Sequence, residues 1–192
     1  MDLRHILAVC GPAAFGLLLA PGATVAAEIG DFFGDWRGAE VSIDDDAGQS
    51  LQLEATDLDM AIAGQDGGFR IRSFGLAREP EGTLVLRPID AILAPTETPG
   101  VFAYEPAADS LLSRLFADPA LGNPLEGDTL LWARVQDDAL HVYSLAIDDR
   151  GGFALEHSTG QLTQDGMTAR YVLRLENEQI VMVEGRLERA GD

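Results

Sequence analysis

From residue 58 onward, apolar and polar residues alternate in short runs separated by turn-forming residues. Leu58, Met60 and Ile62 make one run, and Phe69 with Ile71 another; further along come Tyr143, Leu145, Ile147 and then Phe153, Leu155. The longest is Met167, Ala169, Tyr171, Leu173, Leu175, followed by Val181, Val183 and Leu187. A period of two is that of a β-strand with one face buried and one wet. The breaks fall at Asp66-Gly67-Gly68, Pro80-Glu81-Gly82, Asp137-Asp138, Asp149-Arg150-Gly151-Gly152, Asp165-Gly166 and Glu176-Asn177-Glu178. Gly, Pro, Asp and Asn supply the backbone conformations that tight turns need. Only residues 109–117 have helical spacing, with Asp109 or Ser110 as cap and Leu111, Leu112, Leu115 and Phe116 following. About ten short strands joined mostly by hairpins predict an all-β domain, an antiparallel up-and-down meander with one short helix. Closing the meander into a barrel of about 8–10 strands removes its exposed edges; a β-sandwich is the alternative.

The apolar share of 46% and charged share of 23% suit one globular domain in 192 residues. Thirteen basic residues, all Arg, stand against 32 acidic ones, a formal charge of −19. Such a chain is repelled by nucleic-acid phosphates and by anionic membrane surfaces, so neither is an expected partner. Residues 1–27 read as a secretory signal: Arg4 and His5, an apolar stretch from Ile6 to Ala20 broken by Gly11-Pro12, then Val25-Ala26-Ala27 before Glu28. The expectation is a mature chain of residues 28–192 forming one periplasmic or secreted domain, with no membrane insertion after cleavage. Cys10 is the only cysteine, so the mature chain would have no disulfide, thiolate metal site or cysteine nucleophile.

Phe32-Phe33-Gly34-Asp35-Trp36-Arg37-Gly38 resembles the G-x-W opening of lipocalins and related calycin barrels. The resemblance implies that Trp36 plugs one barrel end and packs against an arginine from a late strand, with Arg174 or Arg186 as counterparts. Trp36 and the trio Ala39, Val41, Ile43 have opposite parity, which calls for a bulge or bend near Gly38. The chain is also similar to small secreted bacterial proteins of unassigned function that combine this start with a later W-A-R strand and D-G-M turn, here Trp132-Ala133-Arg134 and Asp165-Gly166-Met167. That likeness implies fold and compartment only.

Turn chemistry also predicts register. A three-residue loop with Gly151 left-handed pairs Ile147 with Phe153, Leu145 with Leu155, Tyr143 with His157 and His141 with Thr159. A two-residue loop at Asp137-Asp138 pairs Leu130 with Leu145, Trp132 with Tyr143 and Arg134 with His141. The Asp165-Gly166 turn aligns His157 and Leu155 with Tyr171, Leu173 and Leu175. Taking the large groups as inward, the expected inner face grades from apolar Leu130, Leu145 and Leu155 to polar Arg134, His141, His157 and Thr159. Trp132, Arg134, His141, Tyr143, His157 and Tyr171 then form a candidate site for a small amphipathic anion, its head group on Arg134. Alternatively, Arg134 pairs with an acid such as Glu156 or Asp138, and nothing binds.

No G-x-S-x-G, H-E-x-x-H, P-loop or dinucleotide fingerprint occurs, and no catalytic residues or cofactor are expected. Two histidines without a nearby inward carboxylate do not predict a metal site. Asp44-Asp45-Asp46 and Asp57-x-Asp59 break the EF-hand pattern and read as turn acids. Two functions follow as expectations: a periplasmic lipocalin-like carrier or sensor with a cup for an amphipathic anion, or a non-catalytic envelope interaction module with a filled barrel core.

Overall fold

The computed structural model of the chain describes residues 27–44, 52–78, 83–105, 123–126, 128–148, 150–176 and 178–191. Ten strands are present: β1 (Gly34–Asp44), β2 (Met60–Gln65), β3 (Gly68–Arg78), β4 (Leu84–Pro95), β5 (Val101–Tyr104), β6 (Leu130–Gln136), β7 (Ala139–Ile147), β8 (Phe153–Thr163), β9 (Gly166–Leu175) and β10 (Glu178–Arg189). Each pairs antiparallel with its sequence neighbours, and β10 returns to β1, so the sheet is a closed up-and-down barrel rather than a sandwich. The helix expected at 109–117 lies outside the described residues. Among those described, the other elements are 3-10 turns at Ile29–Phe32, Ala55–Leu58 and Pro124–Glu126.

The start of the chain closes one barrel end. Glu28 and Asp31 cap the first 3-10 turn reciprocally, the Glu28 amide donating to the Asp31 carboxylate at 2.8 Å. This turn lowers Phe32 into the core at 0% exposure, and Gly34, at φ +140°, leads into β1. Trp36 follows at 2% exposure, its indole N–H donating to the Phe32 carbonyl at 2.9 Å. The guanidinium of Arg189 lies 4.7 Å from the centre of the Trp36 ring and donates to the carbonyls of Phe33 and Asp31 at 3.0 and 3.1 Å. The late-strand arginine is therefore Arg189, not Arg174 or Arg186. Register decides this, because Arg189 pairs with Trp36 directly, whereas Arg174 sits on β9, which does not touch β1, and Arg186 is paired with Glu40 and Glu188.

The β1–β10 register shifts between Gly38 and Glu40, the bend that the parity change requires. Ala39 is the extra, exposed residue, and Val41 and Ile43 return to the core side. Gly38 has a packing reason: a Cβ there would run into the Ala55 carbonyl of the second 3-10 turn. Gly185, across from Val41, likewise leaves room for Leu58, which is fully buried.

Observed pairing matches the expected register for β6–β7 and β7–β8: Trp132 opposes Tyr143, Arg134 opposes His141, Tyr143 opposes His157 and Ile147 opposes Phe153. Asp137 and Asp138 both have positive φ, as a two-residue hairpin turn with this twist requires. The assignment of faces, however, is corrected. On β6, β7 and β8 the inner side belongs to Leu131, Ala133, Leu140, Val142, Glu156 and Gly160, while Leu130 and Phe153 are 38% and 36% exposed. The β8–β9 alignment shifts with it: Glu156 opposes Leu173, Ser158 opposes Tyr171 and His157 opposes Val172. Close packing inside the barrel explains the choice. A Cβ on Gly160 would come within 2.6 Å of the Met167 sulfur, and one on Gly75 of β3 within 2.8 Å of Glu156 Oε2. The interior beside β6–β8 is already filled by Phe74, Tyr171 and Met167 from other strands, and Trp132, Tyr143 and His157 stand on the outer face.

Replacing Trp36 with alanine should cost about 3–5 kcal/mol in a denaturant melt, as a buried large-to-small change. Arg189→Ala should lower stability in the same direction by less, since it removes the ring contact and two carbonyl partners but leaves the indole buried.

Candidate functional site

Two groups of chemically able side chains stand on opposite sides of the same wall. Inside, β8 and β9 place Glu156 and Tyr171 in the core at 6% and 1% exposure. Phe74 lies 4.5 Å from Tyr171, ring centre to ring centre. Neither Glu156 Oε1 nor the Tyr171 hydroxyl has a hydrogen-bond partner among the described residues. Burial pushes the Glu156 carboxyl up to about 8, and bonds from the Leu76 backbone and the Ser158 hydroxyl offset only part of that. Glu156 is thus mostly neutral at pH 7. Burial, and secondarily Glu156, raises Tyr171. The cavity beside them, lined by Ser73, Leu140, Ser158, Met167 and Tyr171 among others, has a volume of about 20 Å³. That is room for about one water molecule and far below the roughly 300 Å³ of an ordinary ligand site.

Outside, Trp132, Tyr143, His157 and His141 form a ladder across β6, β7 and β8. Ring centres are 5.0 Å apart for Trp132–Tyr143, 4.4 Å for Tyr143–His157 and 5.3 Å for His157–His141, with interplanar angles of 10°, 4° and 24°. Cross-strand register produces the stack, because Trp132, Tyr143 and His157 are directly opposed in sequence on one face. His141 Nδ1 and His157 Nε2 are 3.1 Å apart, and the Thr159 hydroxyl is 3.4 and 3.2 Å from them. Partial burial lowers both imidazoles, with Arg134 adding to the effect at His141, and His141, Arg174 and Arg170 adding at His157. Both are therefore chiefly neutral at pH 7.

Of the residues expected to share one inner face, the structure brings Trp132, Arg134, His141, Tyr143 and His157 together on the outer one. Tyr171 is separated from them by the thickness of the sheet. Arg134 is exposed and pairs with neither Glu156, which is inside, nor Asp138, which accepts the Ala27 amide at 2.8 Å. Sequence reading missed Glu156 as an interior group; the signal was the small set Ala154, Ser158 and Gly160 at its parity, which suits a tight interior. Asp57 and Asp59 are indeed turn acids, bonded to the Glu54 and Gly38 amides at 2.8 and 3.0 Å; Asp45 and Asp46 lie outside the described residues. A shallow groove of about 600 Å³ opens outward where β1 meets β2, but its walls set Arg37 and Arg72 against Asp35 and Asp59.

The molecule is thus a closed ten-stranded antiparallel barrel with a packed interior and an aromatic, imidazole-bearing outer face. No protein-family model, curated protein or solved structure matches the chain.

The buried carboxyl makes stability pH-dependent. Its native pKa of about 8 exceeds the ordinary 4.5, so between those values the folded chain keeps a proton that the unfolded chain has lost. The contribution is fully present below pH 4.5 and is lost as pH rises to 8 and beyond, by on the order of a few kcal/mol. Thermal melts should show Glu156→Gln more stable than the parent at pH 8.5, with the advantage shrinking toward pH 5.

Proposed function

We propose that this protein is a non-catalytic, extracytoplasmic interaction module of lipocalin-like or calycin-like build, exported by a leader cleaved before Glu28. Its binding surface is the outer face of β6–β9, not a lumen. One observation carries the reading: the aromatic and cationic side chains suited to recognition stand outside a barrel in which, among the described residues, the interior cavity beside Glu156 and Tyr171 is about 20 Å³. The surface has two ends. Leu130, Leu145, Leu155 and Phe153 form an apolar end bordered on β9 by Arg174, which opposes Leu155, and Arg134, His141, Thr159 and Arg170 form a polar one, with His157 between them. Among the described residues neither Arg134 nor Arg174 is in an ion pair, although the chain carries 32 acids. Free guanidinium groups and an adjoining apolar strip suit an amphipathic anion, or a partner segment that presents a carboxylate or phosphate beside apolar side chains.

Dodecanoate below its micellar concentration is a suitable probe, with Trp132→Phe identifying the fluorescence signal. Saturable quenching of Trp132 is expected, with Arg134→Ala weakening binding about tenfold, Arg174→Ala weakening it by less, and Arg134→Lys recovering part of the loss. Equal binding of dodecanol, or unchanged affinity in both alanine variants, would overturn the reading. Loss of binding in Tyr171→Phe alone would move the site into the barrel. For the compartment, N-terminal sequencing of periplasmic protein from a Gram-negative host should begin at Glu28.

A further inference from the structure

The histidine pair carries an inference beyond that reading. His141 Nδ1, His157 Nε2 and Thr159 Oγ1 form a triangle with sides of 3.1, 3.2 and 3.4 Å. First-row divalent ions hold imidazole nitrogen at about 2.0–2.1 Å, so two ligands on one such ion lie about 2.9 Å apart on an octahedral edge and about 3.4 Å apart on a tetrahedral one. The observed triangle falls within that range; with ring centres 5.3 Å apart the two nitrogens face each other, so each ring turns to bring its lone pair onto the ion as it enters. We propose that His141 and His157 chelate a divalent ion of the copper, nickel and zinc class on the outside of the barrel, with Thr159 at the third corner and the remaining positions left to water or to a partner's side chain.

The fold places the two rings side by side. They are diagonal neighbours on adjacent strands, since His141 opposes Thr159 and His157 opposes Tyr143. Tyr143, stacked on His157 at 4.4 Å, orients that ring. Without metal, one ring donates its N–H to the other's lone pair. When the ion binds, the donor ring moves that proton to its other nitrogen, so both facing nitrogens become acceptors and no proton need leave. The charged groups around the pair are Arg134 opposite His141, Arg170 and Arg174 on β9, and Asp137 at the β6–β7 turn. Arg170 is engaged by Glu184 at 3.3 Å, and the chain's net charge of −19 supplies a field that favours cations. Arg134 beside His141 and Arg174 beside His157 are the nearby charges that oppose the ion.

The test uses the full, untagged chain carrying His5→Ala and Cys10→Ser, so that His141 and His157 are its only histidines and no thiol competes for the metal. Titration with copper, nickel and zinc chlorides in excess magnesium, which occupies carboxylate sites, is followed by calorimetry. The expected result is one ion per chain, copper tightest, with His141→Ala and His157→Ala each weakening copper binding about tenfold or more and Thr159→Val by only a few-fold. Arg134→Gln should tighten copper binding, whereas Arg134→Ala weakens dodecanoate, so the two readings fail separately. Circular dichroism melts check that the variants fold; should either alanine variant unfold, His141→Gln and His157→Gln take its place. Copper affinity that is the same with and without the two imidazoles, or the absence of stoichiometric binding, overturns the proposal.

Discussion

The barrel depends on holding β1 against two neighbours at once, and it meets β2 over only Gly34–Trp36 opposite Met60–Ile62. Three ladder positions are little for a seam, so closure is reinforced from both sides. Arg189 braces the Trp36 ring and ties down two carbonyls of the preceding turn, linking the last strand to the first. The same capping device is then used twice: Glu28 with Asp31 and Glu54 with Asp57 each fix a 3-10 turn whose last residue, Phe32 or Leu58, is fully buried. Short turns that need no core of their own thereby become part of the core at the two places where β1 would otherwise stand alone.

Filling the interior sets the terms for everything chemical. Gly75 on β3 lets the opposite wall approach Glu156, and Gly160 on β8 makes room for the Met167 side chain of neighbouring β9, so that among the described residues the cavity beside Glu156 and Tyr171 holds about 20 Å³. A carboxyl in such a place must be neutral to be tolerated, and Glu156 accordingly titrates far above its usual range. Trp132, Tyr143 and the histidines stand on the other side of the wall, where stacking replaces burial as the force that orders them.

Much of this was legible in the amino-acid sequence, and one parity was not. Alternation and turn residues gave an approximate strand count, the meander order and the β6–β8 register, because a hairpin's pairing follows from its loop chemistry and the two loops joining β6, β7 and β8 each had a distinct signature. The bend at Gly38 was legible for the same reason, as a conflict between Trp36 and Val41. Which face of β6–β8 looked inward was not, because both faces are apolar enough: Leu130, Trp132, Tyr143 and Leu145 on one, Leu131, Ala133, Leu140 and Val142 on the other. Side-chain size pointed to the first set, whereas the tight interior selects the second. A single residue of offset therefore moved the site from lumen to surface while leaving every predicted pair in β6–β8 intact.

The strand lengths have a mechanical consequence. β5 is four residues long and pairs with β4 and β6 over short stretches, just as β1 does with β2. Among the described residues the cylinder thus consists of two stiff staves, β2–β4 and β6 through β10 to β1, riveted along two narrow lines. Breathing of such an object is anisotropic. Amides along the rivets would exchange with solvent through small local openings, while those in the middle of β8, β9 and β10 would wait for the whole molecule to unfold.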